Sequence, residues 1–382
     1  MVKKKVLVWE TLATVSGGQK MTLTVLDMLS DQYEFCCLIP AEGMLSEELK
    51  KRNIPYVLMG DQTLPTGVKG KQVIFRYGLM SVKNVCKSLR QIRKYKPDML
   101  YCPGPAALPW SAVCGSLTGK PVIWHLHHIF LDGATKKLLN ICGKWKSVRK
   151  IIAVSNCVGD QIQNETAHKK VEVLYNPVDV QKYANGNPEK ILAEVENALG
   201  RSITVQTTAI GHVALIQESK KQWFTLNLIK ALRDKGYDAI GVFAGECREP
   251  EYMVDLEKKA EDYDLKGRVT FLGRRNDIPD LLKMIDVLMI PSAFEGFPLA
   301  GLEAAAAGVP VVACNVAGAE EFIRVSGDGA CFKEDDVEDA ARAIETIQKN
   351  RDQMTVSGRA FAEKMSNIEY AKNIRASFHA IA

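Results

Sequence analysis

Two carboxylates, Glu295 and Glu303, stand on either side of a passage from loop to helix in the segment PSAFEGFPLAGLEAAAAGVPVVAC. The run DVLMIP reads as a strand ending at Pro291, and Glu295-Gly296-Phe297 as a loop. Pro298 suits the first helical position, where its missing N–H is no loss. The helix LAGLEAAAA then stops at Gly308, placed as a C-terminal cap, and Pro310 bars continuation. The free N–H groups within the stretch Gly296 to Leu299 therefore lie at a helix mouth on the carboxyl side of a strand, where open α/β sheets take phosphorylated ligands. Carboxylates accept hydrogen bonds from sugar hydroxyls in bidentate fashion. An anion site with a carboxylate on each side suits a ligand that carries a sugar at each end of a diphosphate. The plain alternative makes Glu303 an ordinary solvent-facing helix residue. Against it, AAAAG leaves that helix almost no polar face, and a lone carboxylate there needs a ligand or a partner.

A second candidate lies near the start of the chain. After the apolar run KVLVW, Ser16-Gly17-Gly18 immediately precedes an amphipathic helix. Glycines let another molecule approach the backbone, and free amides at a helix start favour an anion. The full GxGxxG of a dinucleotide binder is missing, and a plain βα turn is the alternative. His125, His127 and His128 follow the strand PVIWH. Alternation sets His125 and His127 on one side and His128 on the other. No carboxylate or thiolate stands at ligand spacing, so no metal site is expected. A satisfied core role suits His125. Asp262-Tyr263-Asp264, in the charged stretch EDYDLKG, reads as a solvated helix face.

The elements that must position these groups are short apolar runs alternating with helix-length amphipathic segments, from KVLVW through YEFCCLI, DMLYC and KIIAV to AIGVFAG, VTFLG and VPVVAC. Continuous apolar runs of this length suit parallel strands covered by helices on both faces, so the class is α/β. A chain of 382 residues has length for two cores. Strand-like VEVLY stops at Tyr175-Asn176-Pro177, and a second α/β set begins near Ile203. The expected domains are residues 1–183 and 184–364, each Rossmann-like, with a helix over 365–382 packing back on the first.

Hydrophobic residues at 47% and charged ones at 25% exclude disordered, collagenous and coiled-coil classes. Ten scattered cysteines without a CxxC pair read as reduced thiols. No stretch approaches the ~20 apolar residues of a membrane span, and Glu10 interrupts the first apolar run too early for a signal peptide. A cytoplasmic protein is expected. Net charge is +5 overall, yet residues 1–180 hold 25 Lys+Arg against 14 Asp+Glu. Residues 62–97 carry nine basic side chains and no acid (Lys69, Lys71, Arg76, Lys83, Lys87, Arg90, Arg93, Lys94 and Lys96), and residues 133–159 carry six more. Interleaved Phe75, Tyr77, Leu79 and Met80 suit a helix lying on anionic lipid, a peripheral contact with the inner face of the cell membrane. Simple solubility is the alternative. Nucleic acid is not expected as a partner, because no recognised binding module accompanies the charge.

EGFPLAGLE resembles the Glu-x7-Glu motif of retaining glycosyltransferases of GT-B architecture, family 4. The ordered series SGG, PVIWHLHH, AVSNCVGDQI, VLYNPVD, ESKKQ, AGE, TFLGR, EGFP and GVPVVA extends the likeness over essentially the whole chain. The resemblance implies two Rossmann-like domains facing across a cleft. It implies transfer of a sugar from a nucleoside-diphosphate-sugar to a glycan or lipid-linked acceptor in cell-surface polysaccharide or glycoconjugate synthesis, with no cofactor and no metal. By the same resemblance Glu295 contacts the donor sugar and Glu303 the ribose. The Gly296-Phe297-Pro298 backbone, with Leu299, faces sugar and diphosphate. Lys220 binds the diphosphate, Gly17 or Gly18 approaches it, and His127 matches the family histidine. Leu215 stands where the family carries an arginine; Lys221, Arg274 and Arg275 are the candidates to replace it, with Arg274 grouped among the donor-binding residues. The family's Gly-x-Pro-Glu stretch reads Gly318-Ala319-Glu320. A nucleotide-sugar epimerase of the same fold, and a noncatalytic nucleotide-sugar or membrane-surface binder, are the other readings.

Overall fold

The computed structural model describes residues 3–60 and 71–381. Its strands form two wholly parallel sheets. The first contains β1 (Lys4–Trp9), β2 (Tyr33–Ile39), β3 (Tyr56–Leu58), β4 (Met99–Cys102), β5 (Val122–Leu126), β6 (Val148–Ala153) and β7 (Val171–Val173), in the order β3-β2-β1-β4-β5-β6-β7. The second contains β8 (Thr208–Val213), β9 (Ala239–Ala244), β10 (Val269–Phe271), β11 (Val287–Ile290), β12 (Val311–Cys314) and β13 (Gly329–Phe332), in the order β10-β9-β8-β11-β12-β13. The chain thus holds two Rossmann-like α/β units, one of Met1–Asn176 with Ile368–Ala382 and the other of Pro177–Asn367.

The central strands are the continuous apolar runs, buried because helices cover both sheet faces. β3 and β13 were not among those runs. They are edge strands of three and four residues that add little apolar surface, and pairing with β2 and β12 defines them. The helix Asn367–His379 lies with the first unit: Phe378 is buried against Tyr33 and Tyr101, with ring centroids 5.6 and 5.2 Å away. Ser377 donates to Glu172 Oε2 at 2.6 Å, and Arg375 donates to the Met28 carbonyl at 2.7 Å. The short helix Val180–Ala184 lies with the second unit, which brings Tyr183 to the helix Leu299–Ala307.

Each sheet changes winding direction once, between β1 and β4 and between β8 and β11. The loops after such a strand pair diverge to opposite faces and leave a crevice at the carboxyl ends, the usual ligand position in open α/β sheets. Gly17 and Gly18 follow β1; Lys220 follows β8 and Glu295 follows β11.

Candidate active site

In the second unit the loops after β8 and β11 are fastened by a main-chain bond, from the Ala293 N–H to the Ser219 carbonyl at 2.9 Å. This brings Lys220 and Glu295 together, with Nζ 2.6 Å from Oε1 and side chains 24% and 14% exposed. Two groups read separately from the sequence are thus one ion pair at the switch point. Beneath them His212 of β8 is buried, its Nδ1 2.9 Å from the Thr225 hydroxyl. Burial, helped by the Lys220 charge, pushes its pKa down to about 3, so the ring is neutral.

The helix after β11 begins at Leu299, with Pro298 as its N-cap, one residue later than the sequence reading placed it. Gly308 is the left-handed C-cap at φ 79°, as read. Phe297 turns its ring into the core, 5.6 Å from Phe322 and 6.5 Å from Phe361, so only its backbone is left for a ligand. Gly318, at the start of the next helix, allows the loop to lie close. A Cβ there would stand 2.3 Å from the carbonyl oxygens of both Glu295 and Gly296.

Glu303 is half-buried and does have a partner: the Tyr183 hydroxyl bonds to it. Burial first, and then the Glu303 charge, push the Tyr183 pKa up. Nothing in the sequence signals this contact, because the two residues lie in separate elements. Of the cations nominated to replace the arginine absent at Leu215, Lys221 is held by Glu334 and Asp335, both at 2.7 Å. Arg275 is held by Glu194 at 2.5 Å and Asp277 at 2.6 Å. Arg274 follows β10, the edge strand, two strands out from β8. Tyr263 receives Lys230 and Lys259 over its ring, and the flanking aspartates belong to that charged surface.

In the first unit, Ser16 caps the helix Gly17–Leu29, and Gln19 Oε1 accepts from the Ser16 hydroxyl at 2.6 Å. The other end of Gln19 donates to Glu10 Oε2 at 3.1 Å, and the Thr22 hydroxyl also donates to Glu10. Glu10 is therefore a buried anchor holding the glycine turn over β1. Burial raises its pKa against the effect of these bonds. The sequence reading used Glu10 only as an interruption of an apolar run; an acid at the carboxyl end of a strand was the available signal.

Gly18 faces the histidine cluster, since a Cβ there would lie 3.6 Å from His128 Nε2. His125 is buried and bonded through Nδ1 to the Tyr101 hydroxyl at 2.7 Å, and burial pushes it down to about 3. The His127 ring is tilted against it, with centroids 4.1 Å apart. Burial, then His125 and His128, push His127 well below the usual histidine range, and its Nε2 is shielded without a hydrogen-bond partner among the described residues. A neutral imidazole of this kind can exchange hydrogen bonds with a sugar hydroxyl but adds no charge. Among the described residues no group of three or more His, Cys, Asp or Glu is placed to hold a metal ion.

Two family models match this chain in succession: Glycosyltransferase Family 4 over residues 15–182 and Glycosyl transferases group 1 over residues 205–368. The chain belongs to the family 4 glycosyltransferases of GT-B fold. This glycosyltransferase is 25% identical over 368 residues to the Escherichia coli UDP-Gal:alpha-D-GlcNAc-diphosphoundecaprenol alpha-1,3-galactosyltransferase, covering 91% of this chain and 89% of the relative. It is 33% identical over 153 residues to the Bacillus subtilis putative glycosyltransferase EpsF, covering 39% of this chain and 37% of EpsF. Its fold matches that of Anabaena Alr3699/HepE, solved with UDP and glucose, at a TM-score of 0.80 and 20% identity over 99% of this chain and 100% of that one. It is an enzyme that uses a nucleotide-sugar donor.

Proposed function

We propose that this glycosyltransferase moves a hexose, with retention, from a UDP-sugar to a lipid-linked glycan diphosphate. The observation that carries the reading is the Lys220–Glu295 pair at the β8/β11 switch point, beside the start of the helix Leu299–Ala307. As the bond from the anomeric carbon to the diphosphate breaks, the electron pair leaves with the phosphate oxygen and positive charge builds on the sugar ring. Lys220 and the main chain around Gly296–Leu299 stabilise the departing anion, and Glu295 holds the sugar. The acceptor hydroxyl bonds to the anomeric carbon, and its proton passes to the leaving phosphate. Glu303 holds the ribose. His127, kept neutral, hydrogen-bonds a sugar hydroxyl. The E. coli relative, named for a lipid-linked acceptor and a UDP-sugar, supports this choice.

A panel of UDP-galactose, UDP-glucose, UDP-N-acetylglucosamine and GDP-mannose, read by thermal shift, is expected to select a UDP-sugar. At 100 times its Kd the right donor adds about 2.7 kcal/mol of stability. The selected donor should then transfer to a synthetic polyprenyl-diphospho-N-acetylglucosamine. Epimer formed from donor alone, or binding without turnover on every acceptor, would sink the transferase reading.

The basic stretch supports a peripheral membrane role. The helix Lys71–Tyr95 is docked by one face, with Tyr77 stacked 5.8 Å from Trp110 and Trp110 donating to Ser81 at 2.6 Å. Its other face exposes Phe75, Leu79 and Val82, 70%, 62% and 67% accessible, beside Arg76, Lys83 and Arg90. Lys69, and the side chain of Lys71, lie outside the described residues. No helix of the described residues is long and apolar enough to cross a membrane. Co-sedimentation with phosphatidylglycerol vesicles but not phosphatidylcholine vesicles is expected, and loss of it in F75E/L79E. Equal sedimentation with both lipids would defeat the idea.

A further inference from the structure

We propose that Arg248 supplies the guanidinium that grips the donor's diphosphate, the function for which position 215 offers only a leucine. This rests on the nucleotide-sugar reading of the Lys220–Glu295 site. Arg248 follows β9, the strand next to β8, and its Nε and Nη2 are shielded from solvent with no hydrogen-bond partner among the described residues. Arginine keeps its charge at every accessible pH, so a guanidinium with two shielded and unmatched nitrogens calls for an anion. The adjacent carboxylate, Glu249, directs its Oε2 at the Glu218 N–H, 2.8 Å away.

The backbone sets this arginine against the loop that carries Lys220. Ile216 and Cys247 form a parallel bridge, the Ile216 N–H donates to the Glu246 carbonyl at 2.9 Å, and the Arg248 N–H donates to the Ile216 carbonyl at 3.1 Å. Gly245 makes this approach possible, since a Cβ there would fall 1.7 Å from the Ala214 carbonyl oxygen. The same Lys220 loop is bonded through Ser219 to Ala293, two residues before Glu295. Arg248, Lys220 and Glu295 therefore hang on three adjacent strands, β9, β8 and β11, whose loops are tied by main-chain bonds at the carboxyl edge. A planar five-donor fork in this place matches a diphosphate, which presents paired oxygens, better than it matches any neutral group. Of the three candidates near the motif, Lys221 pairs with Glu334 and Asp335, Arg275 pairs with Glu194 and Asp277, and Arg274 follows the edge strand β10, whereas Arg248 sits against the Lys220 loop itself.

Calorimetric titration of the full-length protein with UDP, GDP and ADP identifies the diphosphate that binds, and the matching monophosphate serves as the internal control. R248Q is expected to bind that diphosphate about 10- to 100-fold more weakly, as befits a lost charge-assisted pair, and the monophosphate within about threefold of wild type. R248K, which keeps the charge without the fork, should fall between, and it decides by the same comparison if R248Q does not fold. Equal diphosphate affinity in variant and wild type overturns the inference, as does an equal loss for both nucleotides, which would mark a structural role. Wild-type protein that binds none of the three diphosphates overturns the nucleotide-sugar reading itself, and this inference with it.

Discussion

Glu295→Gln is expected to lower the transfer rate about 100- to 1,000-fold, the range seen when one preorganised polar contact to a developing charge is removed. Glutamine keeps the shape and can still bond to a hydroxyl, so the change isolates the negative charge. With that charge gone, Lys220 loses the partner now 2.6 Å away, and the geometry that sets its ammonium beside the helix start loosens. Lys220→Ala should cost a similar factor by removing the cation that takes up the departing diphosphate. Because the two act as one unit, the double variant should be little worse than either single one. The measurement is steady-state transfer with a saturating donor, alongside thermal unfolding of each protein. A Glu295→Gln enzyme that works at the wild-type rate would remove this pair from the mechanism.

Gly318→Ala should damage the same site from behind. The added methyl carbon would stand 2.3 Å from two carbonyl oxygens, those of Glu295 and Gly296, which belong to main chain and cannot swing aside. The loop must therefore shift by about 1 Å or more, a misplacement that can cost about 100-fold in rate. Forcing an extra carbon into packed structure typically destabilises by about 1 to 3 kcal/mol. The expected signature is a large fall in kcat together with a lower melting temperature, while Gly78→Ala, whose Cβ meets nothing within 4 Å inside the helix Lys71–Tyr95, leaves kcat unchanged and does not lower the melting temperature. Retained kcat in Gly318→Ala would show that the position of the Glu295 loop does not control catalysis.

Much of the second unit was legible before any coordinates. The strand DVLMIP, the loop through Glu295 and the helix capped at Gly308 depend on residues adjacent in the chain: an apolar run, a proline that cannot donate, and a glycine that tolerates positive φ. The same local logic exposed the two α/β sets. The edge strands β3 (Tyr-Val-Leu) and β13 (Gly-Ala-Cys-Phe) escaped because neither is a buried run of large apolar residues, and pairing with a single neighbour defines them.

What the sequence determined by itself was the kind of fold, the position of a helix start on the carboxyl side of a strand and the acids around it, since each follows from neighbours a few residues apart. Tertiary structure alone decided which charges meet. Lys220 finds Glu295 75 positions away, Lys221 is neutralised by Glu334 113 positions away, and Arg275 by Glu194 81 positions away. Tyr183 closes on Glu303, and Arg248 is left with shielded, unmatched nitrogens. Ionic attraction depends on distance in space and on the exclusion of water, and both are set only when parallel strands bring the loops of distant segments to one edge of a sheet.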